Sequence, residues 1–480
     1  MNSPLAEYVR RRSGPLALFS ATAAAFLVYA LQFKSSPYLS GDGQQYWDLG
    51  STFFQSGHFN LLDFGPNLRG YFLPLTLGVI QGIARALGMD AFQLFFFVSC
   101  VFTAAITTTV VPTLMQRLFG IKTTTWQSIF FSGLFFLFWR GYLVEPLSDS
   151  WSVFLLLISM LCVSGLAQND KSVRGLASSG LAGVCGGIAA NVRPIYIVCL
   201  PVLLVVILLA ARKNPRVAAF TALAFCAGAW LAVLPQSVIN YHYLKSWNPL
   251  AQSGSLYFYQ AFFGLPIQRN ECAFYVDSTG LNLANSLGIK MMVAKDNGEF
   301  LFNIILPQNP LRAYLSLAFH NPIEMSIVYL RHIVNGITLI NSNIYQCAPG
   351  SPRRVLNVLS SGSIMLALFL TMIKPPKFIR RRLAILVLVL AAPVILVIPT
   401  AVEGRFFLPL HLAAYAVLAF GSSWMALSAA TLKRAALLAP LIVAMELFTL
   451  TIMADTYQST YLWLGASTDG VSLRQNPVAF

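Results

Sequence analysis

Two carboxylates six residues apart, Asp42 and Asp48, follow the first apolar stretch of this 480-residue chain, with Tyr46 and Trp47 between them. The segment reads Ser40-Gly41-Asp42-Gly43-Gln44-Gln45-Tyr46-Trp47-Asp48. A carboxylate fixed near a membrane surface can take a proton from an acceptor hydroxyl or amine, provided it reaches that proton. Solvation of an acidic loop accounts for the pair equally well from composition alone. If the stretch is helical, Tyr46 shares a face with Asp42 and Asp48 points elsewhere. Glu145 and Asp149 flank Pro146 in a ten-residue connection too short to leave the bilayer surface. Ser148, Asp149 and Ser150 are good helix N-caps, so Asp149 is assigned to capping and Glu145 is kept as a chemical candidate.

Cations stand at matching places. Arg193-Pro194 ends one apolar run, and Glu403-Gly404-Arg405 fills a turn between two others. Arg grips phosphate with a planar fork, although Arg193 could equally snorkel toward headgroups and Glu403 could pair locally with Arg405. Arg331 and His332, on a helix expected over 321–339, are further phosphate-binding candidates. That helix is too polar for a confident span, and lying along the membrane suits it. Glu446 is a lone acid inside a span, a costly position often tied to function. No zinc-like Cys/His spacing, HExxH or P-loop occurs, and Gly41-x-Gly43 lacks the third glycine of a dinucleotide fingerprint. No cofactor or metal is implied.

The elements that must hold these residues are membrane helices. The chain is 57% hydrophobic and 10% charged, against roughly 25% charged in a soluble protein. Apolar runs of the ~20 residues needed to span a bilayer recur at 14–33, 91–115, 124–140, 151–168, 176–191, 195–211, 217–238, 355–373, 383–400, 406–426 and 435–454. The first follows Arg10-Arg11-Arg12 but is long for a signal peptide and lacks a small-residue cleavage site, so it reads as a retained anchor. Short cytoplasmic loops hold the Lys and Arg excess. With these eleven spans, over half of the 32 basic residues fall on the cytoplasmic side with only two of the 17 acids, Glu7 and Asp170. A twelfth span over Tyr71–Leu87 would turn most basic clusters outward, so that stretch is expected to lie at the outer interface as an amphipathic helix.

This all-α polytopic arrangement divides into a front module over 1–238, a large outer loop over 239–354, a four-helix back module over 355–454 and an outer tail over 455–480. The outer segment 34–90 carries the acidic motif. The net charge of +15 is an orientation signal and an attraction to anionic membrane lipids, and no soluble basic domain exists to bind nucleic acid. Five cysteines fall inside spans. Cys272 and Cys347 fall in the outer loop, where an oxidising compartment permits a disulfide. No Asn-x-Ser/Thr sequon occurs in an outer segment, which favours a bacterial inner membrane over the endoplasmic reticulum.

Taken in order, these pieces resemble the GT-C superfamily of membrane glycosyltransferases, closest to its protein O-mannosyltransferase and aminoarabinose transferase branch. Asp42-Gly43-Gln44-Gln45-Tyr46-Trp47-Asp48 matches the family's acid motif after the first span, with Gly43 where many members carry a second acid. Arg69-Gly70-Tyr71-Phe72-Leu73-Pro74 matches a basic residue leading a Tyr/Pro-rich interfacial helix. Glu145-Pro146, the glycine-rich run ending at Arg193-Pro194, and Glu403-Gly404-Arg405-Phe406-Phe407-Leu408-Pro409 match later motifs. The resemblance covers about 14–255 and, in the back half, the 403–409 turn. It implies transfer of a sugar from a polyprenyl-phosphate donor to a glycan, lipid or protein acceptor, with inversion, at the outer face. On that reading Asp42 is the base, and Glu145 supports it or orients the acceptor. Arg193 and Arg405 lead the phosphate ligands, with Arg331 and His332 behind them. Tyr46, Asp48, Arg69, Tyr71 and Glu403 contact substrate. A lipid-linked sugar or polysaccharide transporter is the alternative from another class, and a polysaccharide polymerase or ligase shares the same outer-face logic.

Overall fold

The computed structural model describes residues 4–33, 39, 41–166, 173–211, 214–251, 254–270, 273–287, 292–296, 299–303, 307–340, 342, 353–373, 379–421, 429–458 and 460–463. Cys272 and Cys347 lie outside the described residues.

Apolar helices dominate. Among the described residues six are long and apolar enough to cross a membrane: Ala91–Phe119, Ser148–Leu166, Arg174–Val192, Pro215–Leu244, Val355–Ile373 and Thr431–Tyr457. Each falls on an expected span. The other five expected spans coincide with further helical stretches, Gly14–Ala30, Thr125–Trp139, Pro194–Ala210, Ile379–Val397 and Gly404–Phe420. Phe72–Leu87 is a separate helix of 16 residues, packed on the motif helix Gly41–Thr52.

Two features of the sequence decide how closely the spans approach. The glycine-rich run on the Val173–Val192 helix lets it lie backbone to backbone against Pro215–Leu244: a Cβ on Gly187 would meet the Ala229 carbonyl oxygen at 2.7 Å. Small residues are what such close approach needs inside a membrane. Elsewhere the core is aromatic, with Phe131, Phe135, Phe138, Trp139, Phe154 and Tyr415 all fully buried in one cluster.

The 239–354 segment is folded rather than open. It holds the helices Gly254–Gly264, Ser278–Ser286, Pro310–His320 and Pro322–Thr338 and two small antiparallel sheets. Ala273–Val276 is the middle strand of one sheet, between Ile267–Asn270 and Thr460–Trp463. The described residues are mainly helical, as expected of an all-α membrane protein, and that last strand adds a short extended element beyond the last span. It also puts the segment beyond the last span together with the 239–354 segment. Gly141 donates its backbone N–H to the Ser342 carbonyl at 2.7 Å, which brings in the 141–150 connection as well. The segments expected to share one membrane face do meet.

Candidate functional site

Three carboxylates and three guanidiniums from distant parts of the chain converge beside a cavity of about 460 Å³. Asp42 sits in the first turn of Gly41–Thr52, where an acid complements the helix dipole. Gly41 starts that helix with φ +55°, a conformation natural to glycine. The helical expectation for this stretch is met, and Tyr46, one turn on, lines the cavity with Asp42. Asp48 faces away, exposed and accepting from the Gln44 side chain at 2.7 Å. Its assignment to substrate contact is therefore not supported by its position.

Arg69 donates to Asp42 and, through Nε, to Gln45 at 2.9 Å, with its guanidinium over the Tyr46 ring. The chain around it is pinned. Tyr71 and Phe72 backbone N–H groups donate to the Gln236 and Asn191 side chains at 3.1 and 3.0 Å, and Asn191 donates to Gln236. Gly70 runs so close to the Asn191 carbonyl that a Cβ there would overlap it. Tyr71 itself is buried and donates its hydroxyl to the Ala232 carbonyl at 2.8 Å. It is not among the residues that line the cavity.

Arg193 reaches the cavity because Pro194 forces the preceding residue out of helical geometry; Arg193 adopts φ −144°, ψ 106° at the end of its helix. Its guanidinium pairs with Asp149 and lies 4.2 Å from the Phe406 ring centroid. Arg405, on the short helix Gly404–Phe407, is the hub. Its Nε donates to Glu403, one terminal nitrogen to Asp42 at 2.7 Å, and the other approaches Asp149 at 3.4 Å. Arg405 and Asp149 are 3% and 2% exposed against 25% for Arg69, so Arg69 is the cation most open to a ligand. Asp149 is the residue that sequence reasoning missed: it does stand in the first turn of its helix, but its side chain joins the half-buried Arg193 to the buried Arg405.

Glu145 is buried at 4% exposure and does not line the cavity. It packs behind the motif helix, where a Cβ on Gly43 would come within 2.6 Å of its Oε2. Gly43 thus leaves room for Glu145 where a second acid would collide with it. Oε2 has no hydrogen-bond partner among the described residues, and burial pushes the carboxyl pKa up to about 8. At neutral pH Glu145 is mainly uncharged.

Arg331 and His332 do not join the cluster. Arg331 is held by Asp277, at 2.9 Å, and by Asp455. The two ring nitrogens of His332 face the Ile398 and Gly264 carbonyls at 2.5 and 3.0 Å. Both tie the outer loop to the spans, away from the residues that line the cavity. Gln45, Tyr257, Gln260 and Phe406 line the cavity without having been foreseen. Leu68, Ile195, Leu396 and Val397 give it an apolar wall. Each acid of the cluster faces a guanidinium, which leaves the arrangement suited to an anion that shares the arginines.

No protein-family model, curated protein or solved structure matches the chain.

Proposed function

We propose that this chain is an integral-membrane glycosyltransferase that moves a sugar from a polyprenyl-phosphate donor to an acceptor hydroxyl or amine, in a bacterial inner membrane with the cavity facing outward. One observation carries the reading: Asp42 shares Arg69 and Arg405 beside a cavity lined both by apolar side chains and by arginines. An apolar wall suits a lipid chain and the arginines suit its phosphate.

In the proposed reaction Asp42 takes the proton from the acceptor O–H or N–H. The acceptor atom forms a bond to the anomeric carbon as the bond from that carbon to the phosphate oxygen breaks. The electron pair leaves with the phosphate, which becomes a dianion, and attack from the opposite side inverts the anomeric centre. The charge moves in step. Protonation of Asp42 weakens its hold on Arg69 and Arg405 while the leaving phosphate gains the negative charge that both arginines can accept. Arg193, held by Asp149 and stacked on Phe406, provides the third cation. Glu145 backs the motif helix as a neutral acid.

The test is reconstitution of the full chain with a polyprenyl-phosphate sugar and candidate glycan, lipid and protein acceptors. Transfer with release of polyprenyl phosphate supports the reading. Movement of intact donor across the bilayer without bond cleavage would establish the transporter alternative. That alternative rests on Glu446 alone, whose Oε1 accepts from the Ser361 hydroxyl at 2.6 Å.

A further inference from the structure

Two carboxamides line the cavity, and the proposed transfer uses neither. Asp42, Gln45 and Tyr46 all border it, the spacing of one helix face. Gln45 Oε1 accepts from Arg69 Nε at 2.9 Å, which holds its two amide N–H donors beside that cation. Gln260 comes from the outer loop, on Gly254–Gly264. Its backbone carbonyl accepts from the Ala401 N–H at 3.1 Å. Tyr257, three residues earlier, also lines the cavity and donates its hydroxyl to the Leu396 carbonyl at 3.1 Å. These two bonds fix the Gly254–Gly264 helix against the end of the span Ile379–Val397. The Gln260 side chain makes no hydrogen bond among the described residues, so its amide is left for a ligand.

The charges around the cavity are otherwise committed. Both Asp42 oxygens face arginines, and Glu403, 1% exposed, is paired with Arg405. Among the described residues the lining cations are Arg69, Arg193 and Arg405, the three that the proposed transfer assigns to phosphate. A sugar joined to that phosphate by one bond lies next to them. An ammonium on it would face three guanidiniums, and its one accessible counterion would be Asp42, whose basicity it would suppress. A carboxylate on it would compete with the phosphate for the same arginines. A carboxamide both donates and accepts, which matches a hydroxyl. We propose that Gln45 and Gln260 bind the hydroxyls of the donor's sugar, and that this sugar is uncharged, with neither an amine nor a carboxylate. The inference rests on the glycosyltransfer reading for its donor, and binding tests it apart from turnover.

The test measures binding and transfer separately on the full chain in lipid nanodiscs. Three donors share one polyprenyl phosphate and differ in the sugar: a neutral hexose, an amino sugar bearing an ammonium, and a uronic acid. The neutral donor should bind more tightly than either charged one by on the order of 10²-fold, the size of a misplaced charge. Equal or tighter binding of a charged donor overturns the proposal, and this comparison needs no variant. Gln260→Glu should move the preference toward the amino sugar by ~10-fold or more. Gln260→Leu should weaken binding of the neutral donor and leave that of bare polyprenyl phosphate unchanged. A residue that only supports the fold would alter all four ligands alike, and that result overturns the role of Gln260. Selective binding of the neutral donor with no transfer from any would uphold the sugar recognition and remove the glycosyltransfer reading. Transfer from all three donors with equal binding would do the reverse.

Discussion

Asp42, Arg69 and Arg405 share two contacts that a bound phosphate would compete for, and this makes the proposed base testable by two readouts. Asp42→Asn keeps the shape and removes the proton acceptor. A positioned base typically contributes ~10²–10⁴-fold, so transfer should fall by about that factor. The same change loosens the claim on Arg69 and Arg405, so binding of polyprenyl phosphate should hold or tighten. Weaker binding would mean that Asp42 only positions the arginines. Arg193→Lys keeps the charge but loses the fork and the stacking on Phe406; donor binding should weaken in titrations while the thermal midpoint stays near wild type. Glu145 gives a signature in pH. Its folded pKa of about 8 stands above the ordinary 4.5, so its protonated form is favoured on folding. That contribution is fully present below about 4.5 and is lost as pH rises through 8, amounting to on the order of 5 kcal/mol. Thermal midpoints of wild type should fall from pH 5 to pH 9 more steeply than those of Glu145→Gln.

At the scale of elements, the close approach of Gly70 to the end of the Val173–Val192 helix is what aims Arg69. Gly70→Ala would push the two backbones apart. A displacement near 1 Å at a reacting site can cost about 10²-fold, so transfer should drop by that order while circular dichroism still reports a helical chain. The periodicity of the motif helix was legible from residue types, since Asp42 and Tyr46 share a face and Asp48 does not. So were the long spans, because apolar length is a local property. Asp149 was not legible. A first-turn acid has a sufficient local explanation in capping, and only the meeting of residues 149, 193 and 405 gives it another. Arg331 and His332 show the other side: their types suit phosphate, and the structure sets them apart from the cluster, engaged by Asp277, Asp455 and two carbonyls. Gly43, a departure from the acidic pattern, became intelligible only with Glu145 packed against it.

At the scale of the molecule, the meeting of the motif helix, the 141–150 connection, the 403–405 turn and the outer loop supports one shared face. The proposed orientation places that face outside. A cysteine introduced at Ser56 should react with an impermeant maleimide added to intact cells, and one at Lys433 should react only after the membrane is opened. The opposite pattern would reverse the orientation and, with it, the side from which donor and acceptor arrive.

The three-stranded sheet carries a consequence for biogenesis. Its central strand, Ala273–Val276, is synthesised before the last four helices, and its partner Thr460–Trp463 only after them. Until the ribosome has delivered the final span, that strand presents an unpaired edge, the kind of surface that recruits stray chains. Pairing across so long a sequence separation is slow. The sheet can therefore be completed only after the last helix has been synthesised.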